Sequence, residues 1–235
     1  MSVPPLSARF GPRTAARKPG RPRLADQGDT TGRILRIALE EFAVHGFDGV
    51  SVAEIARKAD IAKPLIHYHF ANKEQLWRES VQLAFGEMLQ QFITLPLELK
   101  DLDRLSFAKV FIRRYVSFVV RHPALGRLIV IEAYKDNPRS LWLLENHIIP
   151  MHRMAVAMVE AAQQQGVIKP IPAFQLIAMV NGSINVFINE SIIHRRVDSS
   201  IAIDSAAIDA FADNLIEVLS GGALLARDSG PDTSS

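Results

Sequence analysis

At 235 residues and 48% apolar content, the chain can bury either one large helical domain or a small domain docked on a bigger one, which argues against disorder throughout. It has no cysteine, so disulfides, Cys-based zinc sites, iron–sulfur clusters and thiol nucleophiles are excluded. The net charge of +2 is unevenly placed: residues 1–23 carry Arg9, Arg13, Arg17, Lys18, Arg21 and Arg23 without an acid, giving +6, whereas 24–80 and 81–235 each come to −2. The Arg- and Pro-rich start lacks an apolar leader core, and polar residues interrupt the apolar stretches at 128–131 and 176–188, so a cytoplasmic protein without a membrane anchor is expected.

From Asp29 the texture becomes helix-periodic, with Leu35, Ala38, Leu39 and Phe42 at i, i+3, i+4, i+7. Gly46 is placed to end this helix in the left-handed C′ position, with Phe47 packing back on its last turn. Ser51-Val52-Ala53-Glu54 has the form of a capping box and opens a second helix to about Ala59, with Val52, Ile55, Ala56 and Ala59 on one face. A turn at Asp60-Ile61-Ala62 leads to a third short helix, Lys63 to about Phe70, with Pro64 in its first turn. Asn72 caps a fourth helix that runs from Lys73 into the low 90s and stops at Pro96. Beyond it, helices are expected near 104–121, 124–134, 139–165, 172–195 and 204–220, separated by His122-Pro123, Asp136-Asn137-Pro138, Gly166 to Pro170 and Val197 to Ser200.

Two short helices joined by a three-residue turn can place the second in a major groove while the first braces it across the backbone. Ile61, Ile66 and Phe70 hold that second helix inward. Lys63, Tyr68 and Lys73 are candidates for phosphates, and Leu65, His67 and His69 for base edges or thymine methyls. The run from Ser51 through Lys63-Pro64-Leu65-Ile66-His67-Tyr68-His69-Phe70 to Asn72-Lys73-Glu74-Gln75-Leu76 resembles the signature of TetR-type transcriptional regulators, and the similarity covers residues 31–77. The resemblance implies an all-α dimer with a four-helix interface from the last two long helices and a ligand cavity in each C-terminal domain. It also places Ser51, Lys63, Pro64, Leu65, His67, Tyr68, His69 and Lys73 at the DNA. Three positions depart from the family pattern: Asp60 replaces the usual Gly of the turn, Ala62 the usual Ser or Thr cap, and His67 the usual Tyr.

Lys18-Pro19-Gly20-Arg21-Pro22-Arg23 resembles the Gly-Arg-Pro core of AT-hook peptides, making Lys18, Arg21 and Arg23 a candidate minor-groove arm beside the reading of a plain basic tail. His67 and His69 point about 200° apart on a helix and cannot share an ion, and His147 and His152 are little better spaced, so no metal is expected. No Gly-x-Ser-x-Gly, Gly-x-Gly-x-x-Gly or His-Glu-x-x-His pattern occurs, so neither a catalytic residue nor a cofactor is expected.

Phe111, Tyr115, Phe118, Trp142, Met151, Met154, Met158, Phe174, Met179 and Phe187, with Asn181, Asn185 or Arg114 for polarity, are candidates to line a cavity for a lipophilic or aromatic effector. Residues 173–193 are apolar nearly all round and need two partners. Ile184, Ile188, Ile208, Phe211, Leu215 and Leu219 are therefore assigned to a homodimer interface. The expected layout is a disordered basic arm over 1–28, a three-helix DNA-binding domain over 29–76, a helical ligand-binding and dimerisation domain over 77–221, and a disordered tail over 222–235. The expected function is sequence-specific operator binding, released by a small effector, in the manner of a repressor. The alternative is a non-specific DNA-binding architectural protein that uses the basic arm.

Overall fold

The first long helix, α1 (Leu24–His45), buries Ile34, Leu35, Ala38, Phe42 and Ala43, the stripe that its periodicity dictates. The computed structural model describes residues 24–198 and 204–222, and every regular element among them is helical. α1 begins ahead of the expected Asp29, because after Pro22 nothing forbids the helix: the isolated Gly28 and Gly32 weaken it without breaking it. Residues 24–28 thus belong to a helix, whereas the arm residues Lys18, Arg21 and Arg23 and the tail from residue 223 lie outside the described residues. Gly46 takes φ +68°, and the Phe47 ring stacks on Phe42 with centroids 5.8 Å apart.

Helices α2 (Val52–Lys58), α3 (Lys63–His69) and α4 (Lys73–Ile93) follow the expected spans within a residue or so. Pro96 does not simply stop the chain. It enters the first turn of a short helix, α5 (Leu95–Glu98), where its missing N–H is harmless, and Leu95 is fully buried. Then come α6 (Arg104–Arg121) and α7 (Pro123–Glu132).

The single helix expected over 139–165 is interrupted. α8 (Pro138–Leu143) gives way to a π segment (Leu144–Ile148) before α9 (Ile149–Gln164). Pro150 supplies no N–H and crowds the carbonyl of Asn146, so the ladder slips: the Ile149 N–H closes on Leu144 O, and the Asn146 side-chain amide donates to Trp142 O at 2.9 Å. α10 (Ala173–Val197) and α11 (Ser205–Gly222) complete the fold.

Two hydrophobic clusters result. One joins α1 to α4 and continues without a break into Phe118, Leu125, Leu128 and Leu143 of the following helices. The other joins Val116 of α6 to Leu176 and Ile184 of α10 and to Ile208, Ala212, Leu215 and Leu219 of α11. α6 therefore lies between the two, contributing one face to each.

Candidate nucleic-acid interface and effector region

The turn between α2 and α3 needs one left-handed residue, and Asp60 supplies it at φ +51°. The Ile61 N–H returns to Ala56 O at 3.1 Å, which closes the end of α2 and redirects the chain. Ala62 holds the extended N-cap conformation of α3 but makes no side-chain cap bond, as its methyl group requires. Ile66 and Phe70 are each 1% exposed and fix α3 to α1, α2 and α4.

With Ile66 and Phe70 inside, the opposite face of α3 is presented outward. Lys63, Pro64, Leu65, His67 and Tyr68 are exposed, Tyr68 to 74%. His69 is only half-exposed, its ring edge-on to Tyr68 at 5.2 Å and tilted against Phe70 at 6.1 Å. Among the two histidines, His67 is the freer to meet a partner. Ser51 accepts the Glu54 N–H at 3.1 Å, which is half of the expected capping box. The Glu54 carboxylate does not reach back but pairs with Arg57, whose guanidinium holds that carboxyl below the usual carboxylate range. Glu41 is likewise paired, with Lys58 at 2.5 Å. Residues 61–73 contain no acid, so the outward face of α3 carries only neutral and cationic groups.

The residues expected to line one effector cavity are scattered: Phe187 stacks on Phe211 with centroids 4.1 Å apart, and Phe174 and Met179 are more than half exposed. Phe111, Tyr115 and Phe118 do come together, around Phe92 of α4, whose ring centroid lies 5.3, 6.0 and 6.1 Å from theirs. Tyr115 donates to Asn181 Oδ1 at 2.7 Å, and Asn185 donates to the Asn181 carbonyl at 2.9 Å, so both amides stand beside this aromatic group. Burial pushes the Tyr115 hydroxyl up from its ordinary pKa. Trp142 is elsewhere: it meets Trp77 at 5.6 Å and His147 at 5.0 Å in the first cluster, where it completes the core between α4 and α8. Met154 and Met158 are 46% and 38% exposed, turned outward on α9. A cleft of about 660 Å³ opens between α1, α4 and α6, with Leu83, Gly86 and Phe118 beneath a rim of Gln82, Gln90, Gln91 and the Arg36–Glu87 pair.

Ile184, Ile188, Ile208, Phe211, Leu215 and Leu219, expected at a subunit interface, lie on the side of α10 and α11 that faces α6. Ile184, Ile208, Leu215 and Leu219 are buried within the chain, and Ile188 and Phe211 pack on the same cluster, because α6 lies against this side of α10 and α11. The outward side of the same two helices shows Met179, Val186, Ile193 and Val218, each more than half exposed. The helices are thus apolar on both sides, and the six residues named from the sequence lie on the inner one.

Residues 34–79 match the family described as bacterial regulatory proteins, tetR family. The HTH-type transcriptional repressor SCO4008 of Streptomyces coelicolor is 31% identical over 166 residues, which is 68% of this chain and 81% of that protein. The HTH-type transcriptional repressor NicS of Pseudomonas putida is 25% identical over 199 residues, covering 80% and 89% of the two chains. Among solved structures, FadR of Bacillus subtilis in complex with stearoyl-CoA superposes with a TM-score of 0.56 at 18% identity, over 81% of this chain and 97% of that one. The fatty acid degradation regulator FadR of Bacillus halodurans does so with a TM-score of 0.59 at 15% identity, over 82% and 95%. With a turn held by Asp60, an outward face free of acids and these similarities along most of its length, the chain belongs to the TetR family of bacterial transcriptional regulators.

Proposed function

We propose that the protein is a homodimeric repressor that sets α3 in the major groove of a palindromic operator and leaves it when a small, largely apolar effector binds. The observation that carries this reading is the outward face of α3: Lys63, Leu65, His67 and Tyr68 exposed together on a helix whose opposite side is locked by Ile66 and Phe70. Lys63, Tyr68 and Lys73 take phosphates and fix register, Ser51 and Pro64 lie at the same surface, and His67 and Leu65 read bases, with His69 in a supporting place. The DNA-binding unit spans residues 29–76 and the effector and dimerisation unit 77–221. Lys18, Arg21 and Arg23 add a minor-groove contact.

The outward stripe of Met179, Val186 and Ile193 on α10, with Val218 on α11, supports pairing through the last two helices. The aromatic group of Phe92, Phe111, Tyr115 and Phe118 beside Asn181 and Asn185 supports an apolar effector with one polar group, and a structural relative was crystallised with stearoyl-CoA. The regulator acts by binding alone. No helix among the described residues is long and apolar enough to cross a membrane. In the dimer the two α3 helices stand about 34–36 Å apart. An effector that moves the population from 1:99 to 99:1 in favour of a splayed form needs about 5.5 kcal/mol of differential binding.

Selection of random-sequence duplexes by the purified full-length protein, with sequencing of the bound pool near physiological salt, tests the reading. A palindrome with half-sites about one turn apart supports it. A pool without a motif, or with A·T enrichment alone, overturns it in favour of non-specific binding through the +6 segment.

A further inference from the structure

Two cations share one ring where the effector region meets the DNA-binding unit. The Arg139 guanidinium lies 3.8 Å from the centroid of Phe47, and Lys73 Nζ lies 4.4 Å from the same centroid. Arg139, on the first turn of α8, also donates to Glu132 Oε1 at 3.2 Å and lies 3.7 Å from Glu74 Oε2. Glu132 is 2% exposed, and its other oxygen takes Lys135 at 2.9 Å. Asn137 caps α8 through Ser140 N, and Ser140 Oγ donates back to Ala133 O, both at 2.9 Å, so the turn that carries these charges is tightly held.

Lys73 is the first residue of α4, a position where the helix dipole disfavours a cation. The face of Phe47 offsets that cost. Among the described residues no carboxylate stands within ion-pair distance of Lys73, so its charge is held in place yet uncommitted. Arg139, by contrast, is committed twice over. Moving it would leave the buried Glu132 carboxylate with one cation, Lys135, and a long 3.4 Å bond from the Asn137 amide, which is costly, so its placement on Phe47 is firmly specified.

We infer that Phe47 is the pedestal that aims Lys73 at the phosphate backbone, and that Arg139 is the positioning residue that locks this pedestal to the turn between α7 and α8. The inference rests on the reading that Lys73 meets phosphate. The turn over residues 132–140 is then the place where a shift of α7 reaches a DNA contact: Glu132 moves Arg139, Arg139 moves the Phe47 ring, and the ring moves Lys73.

The test is the dependence of operator affinity on salt, measured on a duplex from the selected pool for the wild type, Lys73→Ala, Phe47→Leu, Arg139→Gln, Arg139→Lys and the Lys73→Ala/Arg139→Gln double variant. Each lost phosphate contact lowers the slope of log affinity against log salt by about 0.9. Lys73→Ala and Phe47→Leu should both lower it by about that amount per subunit. Arg139→Gln should lower the slope in the same direction and the affinity by about tenfold, within the range of couplings carried through packed networks. Arg139→Lys keeps the charge opposite Glu132 without the flat guanidinium, so it should recover the melting temperature but not the slope. In the Lys73→Ala background, Arg139→Gln should change the slope no further. A wild-type slope for folded Arg139→Gln, or a full additional loss in the double variant, overturns the inference while leaving Lys73 at the DNA. A wild-type slope for Lys73→Ala overturns the underlying reading as well.

Discussion

The Tyr115 hydroxyl donates to the Asn181 side-chain oxygen across 2.7 Å and is a polar tie between α6 and α10. Tyr115→Phe removes the donor and leaves a half-buried amide oxygen without its partner, so it should cost about 1–3 kcal/mol of stability. Urea unfolding checks this, and a midpoint equal to that of the wild type would show that water takes the place of the phenol. The same variant should change the response to any effector that enters beside Phe92 and Phe111, because it alters a polar pair beside those rings.

Lys73→Ala should weaken binding similarly on all sequences, whereas His67→Ala should relax preference at particular base pairs, by about 1–3 kcal/mol at the position read. The half-buried position of His69 against Tyr68 and Phe70 assigns it the smaller specificity effect and the larger stability effect of the two histidines. Binding measured on a set of single-base operator variants separates them. Equal, sequence-blind losses from His67→Ala and Lys73→Ala would refute the division between base and phosphate contacts.

The two faces of α10 make opposite predictions. Val186→Arg, on the outward side, should shift the protein toward monomer in sedimentation while leaving its helical content intact. Ile184→Ala, on the inward side and 1% exposed, should cost about 2–4 kcal/mol of stability within each chain. A Val186→Arg protein that stays dimeric with unchanged affinity would place the subunit contact elsewhere.

His147 stacks on Phe85 with centroids 4.6 Å apart, and burial holds its pKa below the ordinary histidine value. A base whose pKa is lower folded than unfolded binds more protons unfolded in that window. Stability is therefore full above the unfolded value, about 6.5, and falls as the pH drops from there toward the folded value. His147→Phe retains the stack and removes the linkage. Urea midpoints at pH 7.5 and 5.5 should fall more for the wild type than for this variant, and parallel losses would assign the acid sensitivity to other groups.

What the sequence made legible was the part governed by short-range rules. The α1 stripe, the Gly46 and Asp60 turns, the Asn72 cap and the span of α3 all follow from periodicity and local backbone preference, and the resemblance to the TetR signature was carried by the run from Ser51 to Leu76. Pro150 was a local signal too: it stands in the interior of the helix expected over 139–165, where a proline disrupts the ladder, and the expectation of one unbroken helix passed over it. The inner and outer sides of α10 and α11 were not distinguishable, since both are apolar and only the position of α6 decides between them. Phe47 was visible as a residue that packs back on α1. Its role beneath Lys73 and Arg139 was hidden, because that contact joins segments far apart in the chain whose meeting is set by the packing of α7 on α1.

The hydrophobic cluster that runs from Ile34 and Phe42 into Phe118, Leu125, Leu128 and Leu143 has a consequence for anyone wishing to rewire this regulator. A graft of residues 24–79 onto the effector half of a relative would carry half an interior and meet a foreign one. Such chimeras will succeed where the recipient supplies matching volumes at those four positions, and the boundary for exchanging recognition sequences is better drawn through the surface of α3 than between the two halves of the chain.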